Sequence, residues 1–334
     1  MKLLVTGGAG YIGSVVAAQL VDAGHGVVVL DDLSTGHADA VPAGAAFVRG
    51  DLHTGAAAIL ADGVDAVLHF AAKSLVAESV AEPARYWSGN LGGTLALLEA
   101  MRAAGTRSIV FSSTAAVYGE PGQVPITETA PPRPASPYGA SKLAVDTALA
   151  EHARLHRIGA VSLRYFNVAG AHRDRAGRWA GERHAPETHL IPNVLAVAWA
   201  GSGQVSIFGD DYPTPDGTCI RDYIHVSDLA RAHLMALPAC VPGRHRVYNL
   251  GSGTGFSNRA VLDACREVTG REIPAVTAPR RPGDPAVLIA SADHIRADLG
   301  WAPDLGLPDM VADAWSFAQV RATAPEDSGR ARTQ

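Results

Sequence analysis

Short apolar runs of strand length alternate with amphipathic stretches through the first half of the chain. The apolar runs, several of them rich in valine and isoleucine, cover residues 3–5, 27–30, 66–70, 109–111 and 161–166. The stretches between them repeat apolar residues at helical spacing over residues 11–23, 55–61, 83–104 and 137–156. This alternation of strand and helix predicts an α/β fold with a doubly wound parallel (Rossmann) sheet covered by helices on both faces.

The regular alternation fades after about residue 167. Residues 169–187 lack periodicity and predict a long loop. Beyond them the pattern predicts strands at 205–208, 218–226 and 247–250, and helices at 190–200, 227–236 and 258–269. We therefore expect a nucleotide-binding domain over residues 1–167, joined by segments from about 218–250. A smaller mixed α/β substrate domain is expected over 168–217 and 251–320, followed by a frayed tail at 321–334.

The composition and the net charge argue against several classes of protein. The 334 residues are 47% hydrophobic and 18% charged, which fits a globular protein with a sizeable core and excludes disorder as the main state. The formal charge of −5 and the lack of a long basic run argue against a nucleic-acid partner. No apolar run reaches the ~18 residues of a membrane span, and we expect no secretory signal and no membrane partner. Three cysteines make no disulfide framework, so we expect a cytoplasmic protein.

A glycine-rich turn follows the first predicted strand and opens the first predicted helix. It reads Thr6-Gly7-Gly8-Ala9-Gly10-Tyr11-Ile12-Gly13. In such a turn Gly7 permits the tight bend, Gly10 lets backbone amides approach a pyrophosphate, and Gly13 lets helix and strand pack closely. The spacing is one residue longer than the usual dinucleotide-binding pattern, and glycines alone are as typical of a plain turn.

Acidic residues at the end of the next strand make this turn a predicted dinucleotide site. Asp31 lies 18 residues after Gly13, close to the ~20 expected for an acid that binds ribose hydroxyls, and Asp32 follows it. A carboxylate there repels a 2′-phosphate and no arginine follows in residues 33–36, so the predicted cofactor is NAD. A further acid, Asp51, either accepts a hydrogen bond from the adenine amine or caps the next helix.

A tyrosine and a lysine share one face at the start of the helix predicted for residues 137–156. Tyr138 and Lys142 are four residues apart, and the nearby ammonium is expected to lower the tyrosine pKa from ~10. A tyrosine with a lowered pKa suits a general base that acts on a sugar hydroxyl. Thr114 lies just past the strand at 109–111, at the sheet edge where such folds place ligands, and offers a hydroxyl to share the proton.

Five further blocks, together with these motifs, carry a resemblance to a known family. They cover residues 69–73, 163–167, 207–214, 221–226 and 278–284. From Thr6 to about Trp301 the chain resembles the extended short-chain dehydrogenases/reductases, and most closely the branch that epimerises UDP-glucose and UDP-galactose at C4.

The resemblance implies an isomerase that reversibly interconverts UDP-galactose and UDP-glucose. In that family the tyrosine takes the proton of the sugar 4-hydroxyl while hydride passes from C4 to tightly bound NAD. The 4-keto sugar then rotates and takes the hydride back on its other face. Matching positions make Tyr138 the base, Lys142 its electrostatic partner and ribose ligand, and Thr114 (a serine in many members) the proton-sharing hydroxyl.

The glycine turn and the resemblance together define the expected cofactor-binding residues. They are Gly7, Gly10, Tyr11, Ile12, Gly13, Asp31, Asp32, Ser34, Thr35, Gly36, Asp51, Leu52, Phe70, Ala71, Ala72, Lys73, Asn90, Ser112, Tyr138, Lys142 and Tyr165.

On the substrate side, a freely rotating keto sugar has to be held by its UDP end. Guanidinium pairs bidentately with phosphate, which makes Arg221 and Arg281 the diphosphate candidates, with a surface salt bridge as the alternative for each. The resemblance adds Phe208 beside the uracil, Asn167 on the diphosphate and sugar, and Asp284 on the ribose. The whole expected substrate set is Thr114, Tyr138, Phe166, Asn167, His189, Leu190, Ser206, Phe208, Arg221, Arg281, Asp284 and Leu288.

Three positions depart from the family pattern. Lys73 stands one residue before Ser74, the position that aligns with a lysine in many members, and His189 replaces an asparagine near the substrate. Leu288 stands where a tyrosine closes the sugar pocket in members restricted to unsubstituted sugars. Acceptance of N-acetylated sugars is therefore a hypothesis, which a comparison of UDP-GalNAc and UDP-galactose turnover tests. No metal site is expected, since the histidines at 172, 184 and 225 form no helical pair.

Other functions are weighed against the same residues. A nucleotide-sugar 4,6-dehydratase needs an Asp-Glu pair after the catalytic threonine, and Ala115 and Ala116 occupy those places. A regulatory NAD-sensing module would lack Tyr138 or Lys142, and a simple reductase would release its cofactor in each turnover. The alternative left open is a 4-epimerase of another UDP-sugar, such as UDP-GlcNAc/GalNAc or UDP-xylose/arabinose. The resemblance also implies a homodimer formed through the helices at 83–104 and 137–156.

Overall fold

A computed structural model describes residues 1–281 and 283–323 of the chain. In chain order its helices and strands are β1 Lys2–Thr6, α1 Tyr11–Asp22, β2 Gly26–Asp31, β3 Ala45–Arg49, α2 Leu52–Ala61, β4 Ala66–His69, α3 Val76–Ala81, α4 Pro83–Tyr86, α5 Gly93–Ala104, β5 Ser108–Thr114, α6 Pro137–His156, β6 Gly159–Tyr165, β7 Asn167–Ala169, β8 Ala171–Arg173, β9 Trp179–Gly181, α7 Leu190–Ala200, β10 Val205–Phe208, β11 Ile220–Arg221, β12 Tyr223–His225, α8 Val226–Ala236, β13 His245–Leu250, β14 Phe256–Ser257, α9 Asn258–Thr269, β15 Ala275–Ala278, β16 Val287–Leu288, α10 Asp293–Leu299 and α11 Leu307–Thr323.

The centre of the molecule is a seven-stranded sheet in the order β13-β6-β5-β4-β1-β2-β3, with every neighbouring pair parallel. The chain winds outward from β1 in both directions, so the strand order reverses between β1 and β4. Val5 of β1 is paired with Val29 of β2 on one side and with Leu68 of β4 on the other. The predicted doubly wound α/β sheet is confirmed, and a reversal of this kind is where such sheets bind ligands.

Alternate residues of β1 build the two apolar layers that cover the sheet. Leu3 and Val5 pack into a buried cluster with the apolar faces of α1 and α8. Leu4, between them, packs into the opposite cluster with α2, α5 and α6. Both faces of a parallel strand are buried in this architecture, which is why its sequence reads as an unbroken apolar run.

A third apolar cluster lies away from the large sheet. It packs α7, α9 and α11 around the short parallel pair β10–β15, through residues such as Val194, Val261 and Val311. Three further small sheets join β14-β11-β16, β12-β7 and β8-β9. β13 returns to the edge of the large sheet beside β6. The domain boundaries set out from the sequence stay a prediction.

The structure corrects the sequence prediction in the second half of the chain. The segment 169–187, expected as a loop, contains the antiparallel pair β8–β9. The strand expected at 218–226 is divided at Asp222, whose buried carboxylate accepts hydrogen bonds from the backbone amides of Ser252, Gly253 and Ala290. Helix α11 continues to Thr323, three residues into the expected tail (321, 322 and 323), and 324–334 lie outside the described residues.

Two element boundaries in the first half also differ from expectation. Helix α2 begins at Leu52, three residues before the expected start at residue 55 (residues 52, 53 and 54), because Asp51 caps the helix by accepting a hydrogen bond from the Thr54 amide. The helix expected over 83–104 is interrupted by a π-helical segment, Trp87–Gly92. In the described part of the chain, no helix combines the length and apolar character needed to cross a membrane.

Candidate active site

The carboxyl ends of the sheet strands bring most of the expected site residues to one edge. Gly7 follows β1, Asp31 ends β2, Phe70 follows β4, Thr114 ends β5 and Tyr165 ends β6. Because these strands run parallel, their carboxyl ends share one side of the sheet. The cofactor and catalytic residues expected from the sequence are therefore neighbours, although they come from distant parts of the chain.

The glycine turn is held so closely to the sheet that side chains have no room. Gly7 has a φ of +70°, and a Cβ there would lie 2.5 Å from the Ala71 amide nitrogen. A Cβ at Gly13 would lie 2.2 Å from the Gly7 carbonyl oxygen. Gly10 caps α1 without any side-chain hydrogen bond, and the first turn of that helix, from Tyr11, carries no acid. The positive end of the helix therefore stays available for an anion such as a pyrophosphate.

Asp31 joins the glycine turn to the loop that follows β2. Its carboxylate accepts hydrogen bonds from the amides of Ala9, at 2.9 Å, and Leu33, at 2.8 Å. Burial raises the pKa of Asp31, and these two amides counter part of the rise. Gly36 packs against the same carboxylate, since a Cβ there would lie 2.9 Å from Asp31 Oδ1. The loop 33–36 thus lies beside the glycine turn, where a ribose ligand is expected.

The loop after β4 is held by Asn90 from the π-helical segment. The Asn90 side chain accepts a hydrogen bond from the Lys73 amide at 2.8 Å and donates to the Lys73 carbonyl at 3.0 Å. It also donates to the Ser141 hydroxyl at the start of α6. A regular α-helix would rotate Asn90 away from these partners, which explains the local widening of the helix. In this structure Asn90 positions the loop that carries Lys73.

Tyr138 and Thr114 meet where α6 begins. Ser136 caps α6 through the Gly139 amide and Pro137 occupies the first helical position, which fixes Tyr138 in the first turn. The Tyr86 ring packs edge-on against the Tyr138 ring, with 6.3 Å between the centroids. Burial raises the pKa of Tyr138, and a hydrogen bond from the Thr114 hydroxyl counters part of that rise. The pair is arranged to pass a proton to or from a bound hydroxyl.

Lys142 lies one turn further along the same helix and is almost fully buried. Its Nζ donates a hydrogen bond to the Ser112 carbonyl at 2.8 Å and lies 4.7 Å from the centre of the Phe111 ring. Burial lowers the pKa of Lys142 to about 7, although Asp146 raises it in part. The expectation that Lys142 lowers the pKa of Tyr138 is therefore wrong for this state, because a desolvated lysine carries only part of its charge.

Ser112 links this group to the next strand. Its hydroxyl makes a very short hydrogen bond with the hydroxyl of Tyr165, and burial raises the pKa of Tyr165. Tyr165 and Phe70 both contact the buried His233 ring. These contacts pack the carboxyl ends of β4 and β6 against α8.

Sequence reasoning missed His69, at the end of β4. His69 is buried, and its two ring nitrogens lie 2.7 Å from the Thr6 hydroxyl and 2.8 Å from the Thr94 hydroxyl. Burial lowers its pKa to about 3, so the ring is neutral and bridges β1, β4 and α5. Both threonine partners are distant in sequence, 63 and 25 residues from His69, so local spacing carries no signal for this role.

On the substrate side, Arg221 and Asp284 form an ion pair at 2.6 Å. Arg221 is buried, and it also donates a hydrogen bond to the Ile220 carbonyl. Phe208 and Arg281 form a second pair, with the guanidinium carbon 4.1 Å from the ring centre. Four residues expected to hold UDP therefore come together in two pairs, outside the seven-stranded sheet.

Phe166 and Leu288 pack in one small apolar cluster with Val117, Tyr118 and Ile126. This cluster adjoins the turn after Thr114, so Leu288 lies near the catalytic end of the site. Asn167 begins β7, and its amide donates a hydrogen bond to the Asp222 carbonyl. Its side chain makes no hydrogen bond among the described residues.

Other expected residues have local structural contacts. Asp32 accepts a hydrogen bond from the Ser34 amide, and Asp51 caps α2 as described. The Leu52 side chain packs in the core against Gly93, and Ser206 is exposed on β10. Cofactor or substrate contacts at these positions stay predictions.

His189 immediately precedes α7, and Leu190 is the first residue of that helix. The Nδ1 atom of His189 is in very short contact with Glu182 Oε1. Two more residues of the same loop, His184 and Glu187, converge on this pair. Sequence reasoning missed the group, although an alternation of Glu and His within eight residues (182, 184, 187 and 189) was its signal.

The chain belongs to the NAD dependent epimerase/dehydratase family, whose model matches residues 3–251. Within it the chain is similar to curated UDP-glucose 4-epimerases. One from Streptomyces lividans is 55% identical over 339 residues, covering 98% of this chain and 99% of the relative. One from Corynebacterium glutamicum is 53% identical over 322 residues, covering 96% of each chain.

A solved structure shares the whole architecture. It is a UDP-glucose 4-epimerase from Stenotrophomonas maltophila with bound NAD and formylated UDP-arabinopyranose. Its TM-score is 0.91 at 41% identity, covering 96% of this chain and 99% of that one. The predicted family, fold class and NAD cofactor are confirmed. The individual site residues stay predictions that rest on the geometry above.

Proposed function

We propose that the protein interconverts UDP-galactose and UDP-glucose by epimerisation at C4 of the sugar. One observation carries the proposal: Thr114 at the end of β5 lies beside Tyr138 in the first turn of α6, with Lys142 buried one helical turn further on. This group can exchange a proton with a sugar hydroxyl, and the relatives named above are UDP-glucose 4-epimerases.

The residues around the glycine turn fit NAD. The close backbone packing at Gly7 and Gly13, the uncapped start of α1 and the acidic Asp31 match a turn that binds a pyrophosphate followed by a ribose with free hydroxyls. Bound NAD supplies a hydride acceptor and donor for C4 and, when oxidised, a positive charge. Tyr165 and Ser112 are joined by a hydrogen bond at the adjoining carboxyl ends of β5 and β6.

Tyr138 and Thr114 move the proton of the sugar 4-hydroxyl. Burial keeps the proton on Tyr138 in the structure described, and a positive charge brought close lowers the cost of its release. Lys142 provides such a charge when it is protonated, and its pKa of about 7 makes its charge sensitive to the contents of the site. Thr114 offers a second hydroxyl beside the phenol, and this hydroxyl can share the proton.

Arg221, Arg281 and Phe208 hold the UDP end while the sugar turns. Arg221 is already engaged with Asp284, so a diphosphate competes for or shares this guanidinium. The Phe208 ring is covered by Arg281, which can shift to expose a face to a uracil. Strong contacts at the non-reacting end and few at the sugar allow the sugar to present both faces in turn.

The residues after Thr114 separate this function from sugar dehydration. Ala115 and Ala116 form the short turn that follows β5, and neither can exchange a proton. Removal of water from C5 and C6 requires an acid and a base at those places. Epimerisation requires neither.

A homodimer and a reducing cytoplasm are proposed as well. The helices expected at a dimer interface expose apolar side chains in the monomer, among them Trp87 at 41% and Leu95 at 42%. Leu98, Val145 and Leu149 of the same helices are buried in the core instead. Cys219, Cys240 and Cys265 are buried and unpaired, as suits a reducing compartment. Analytical ultracentrifugation tests the dimer.

The test of the function is incubation of the purified protein with UDP-galactose, without added cofactor, followed by proton NMR of the anomeric region. We expect UDP-glucose to accumulate until an equilibrium mixture is reached. No conversion, even after NAD is added, contradicts the proposal. UDP-xylose and UDP-GalNAc, used in parallel, show whether another UDP-sugar is the better substrate.

A further inference from the structure

Four potential metal ligands converge in the loop between β9 and α7. Glu182, His184, Glu187 and His189 each present one ligand atom, and all four atoms lie within 4.8 Å of one another. The loop supplies them within eight residues, from 182 to 189. In the described part of the chain this is the one group of three or more histidine, cysteine or acidic side chains close enough to share an ion.

The separations lie on either side of those expected around a small tetrahedral ion. His184 Nδ1 lies 2.8 Å from Glu182 Oε1 and 3.9 Å from Glu187 Oε2, and His189 Nδ1 lies 3.9 Å from Glu187 Oε1. Zinc bonds to histidine nitrogen and carboxylate oxygen at about 2.0–2.2 Å, which places tetrahedral ligands roughly 3.3–3.6 Å apart. Small side-chain movements reach that geometry.

Hydrogen bonds within the group leave one ligand atom unsatisfied. The Nδ1 atom of His184 is buried and has no hydrogen-bond partner among the described residues, although it faces Glu182. Buried polar atoms without partners are rare in proteins and call for a ligand. The Glu182 side chain is only 6% exposed, so its carboxylate also needs a cation nearby.

The four side chains are held close to one another. Both histidines contact the same carboxylate, that of Glu182. The Tyr11 ring is edge-on to His184, with 6.5 Å between the ring centroids.

We propose that Glu182, His184, Glu187 and His189 form a structural zinc site. Two imidazoles and two carboxylates suit zinc, and four protein ligands leave no position open for catalysis. The ion would fix the loop against Tyr11 of the glycine turn on one side and the start of α7 on the other. His189 also belongs to the expected substrate set, so the test below measures metal content rather than turnover and does not depend on the proposed reaction.

The test uses the full-length protein with its cofactor bound. The protein is dialysed against excess zinc and then against metal-free buffer, and its zinc content is measured by mass spectrometry. We expect one zinc per chain. Replacement of the zinc by cobalt is expected to give the intense visible absorption of a tetrahedral site. A protein that retains no zinc, or a cobalt spectrum typical of six ligands, overturns the proposal.

Two variants locate the ion. His184→Asn and Glu182→Gln are each expected to weaken zinc binding by more than the ~10–100-fold that loss of an outer-shell partner costs. Circular dichroism and retained NAD show that each variant is folded. If one variant fails to fold, the zinc affinity of the other variant is the test. Full zinc affinity in a folded variant contradicts the assignment.

The matched control is the histidine pair on α6. His152 and His156 are one turn apart, with ring centroids 5.2 Å apart, and form a second place where a metal can attach. His156→Asn is expected to leave one zinc per chain with unchanged affinity. If His156→Asn removes the zinc and His184→Asn does not, the zinc belongs to α6 and the proposal is wrong.

Discussion

The Nζ atom of Lys142 donates a hydrogen bond to the carbonyl oxygen of Ser112 at 2.8 Å, and no carboxylate reaches it at that distance. Asp146, one turn further along the same helix, is engaged by Arg164 at 2.8 Å instead. The lysine is therefore buried with a neutral partner, and burial lowers its pKa to about 7. The charge of Lys142 therefore depends on what occupies the site beside it. Its protonation can be measured through the pH dependence of the protein's stability.

The first prediction concerns stability and pH in protein stripped of NAD. Between the folded pKa of about 7 and an unfolded pKa of ~10.4, the unfolded chain binds the extra proton, so the free energy of unfolding rises with pH. Lys142→Met removes this dependence. We expect the variant to be more stable than the parent at about pH 7. The difference in their free energies of unfolding is expected to narrow by up to ~1.4 kcal/mol per pH unit towards pH ~9.5.

Urea unfolding at the two pH values measures this change. Lys2→Met is the control, because Lys2 is a partly exposed lysine paired with Asp62 on the surface. Its stability difference from the parent is expected to stay nearly constant over the same range. A constant difference for Lys142→Met as well would show that Lys142 is charged in the folded protein at both values.

The second prediction concerns the proton-transferring hydroxyl. Tyr138→Phe is expected to lower kcat by ~10²–10⁴-fold, since it removes the general base and leaves the ring in place. Tyr86→Phe is the control, because its ring packs edge-on against Tyr138 while its hydroxyl bonds to the Leu75 carbonyl and Glu78. We expect its kcat to remain within about tenfold of the parent. Equal losses in the two variants would indicate a packing effect.

The third prediction separates two glycines of the turn. A Cβ at Gly13 would lie 2.2 Å from the Gly7 carbonyl oxygen, whereas a Cβ at Gly10 meets that oxygen at 3.3 Å. Gly13→Ala is expected to lower the yield of folded protein, and Gly10→Ala to give folded protein that loses NAD during purification. Thermal unfolding and the ratio of NAD to protein measure both. Full NAD content in Gly10→Ala would contradict a close approach of the pyrophosphate there.

The fourth prediction concerns the anchoring of UDP. Arg281→Ala removes a charged partner of the diphosphate, worth about 1.5–3 kcal/mol, and is expected to raise KM by ~10–150-fold with a smaller change in kcat. Arg280→Ala is the control, because Arg280 is paired with Asp211 and stacks on Tyr212. Steady-state kinetics with UDP-galactose compares them. A larger rise in KM in Arg280→Ala than in Arg281→Ala would indicate that the diphosphate binds beside Arg280 instead.

The sequence predicted the large sheet and the proximity of Tyr138 and Lys142 because both depend on local patterns. The apolar runs that form β1 and β4 are continuous, and Tyr138 and Lys142 are fixed by a single helix. The π-helical segment around Asn90 was missed, because the contacts of that side chain with Lys73 and Ser141 span 17 and 51 residues. Such contacts override local helical spacing and leave no periodic signal.

Burial also determines the pKa shifts of the site residues, which residue spacing does not predict. The four-residue spacing of Tyr138 and Lys142 predicted their proximity but not the desolvation that raises one pKa and lowers the other. The division of the predicted strand at Asp222 has a similar origin, since its carboxylate bonds to Ser252 and Ala290, which lie far along the chain.

The most direct test of the proposed epimerisation follows the hydrogen at C4. UDP-galactose carrying deuterium at C4 is incubated with the protein in ordinary water, and the UDP-glucose formed is analysed by NMR and mass spectrometry. Return of the same hydride predicts that the product keeps its deuterium at C4. Product with hydrogen at C4 would show that a proton from solvent is added instead, which would contradict this account.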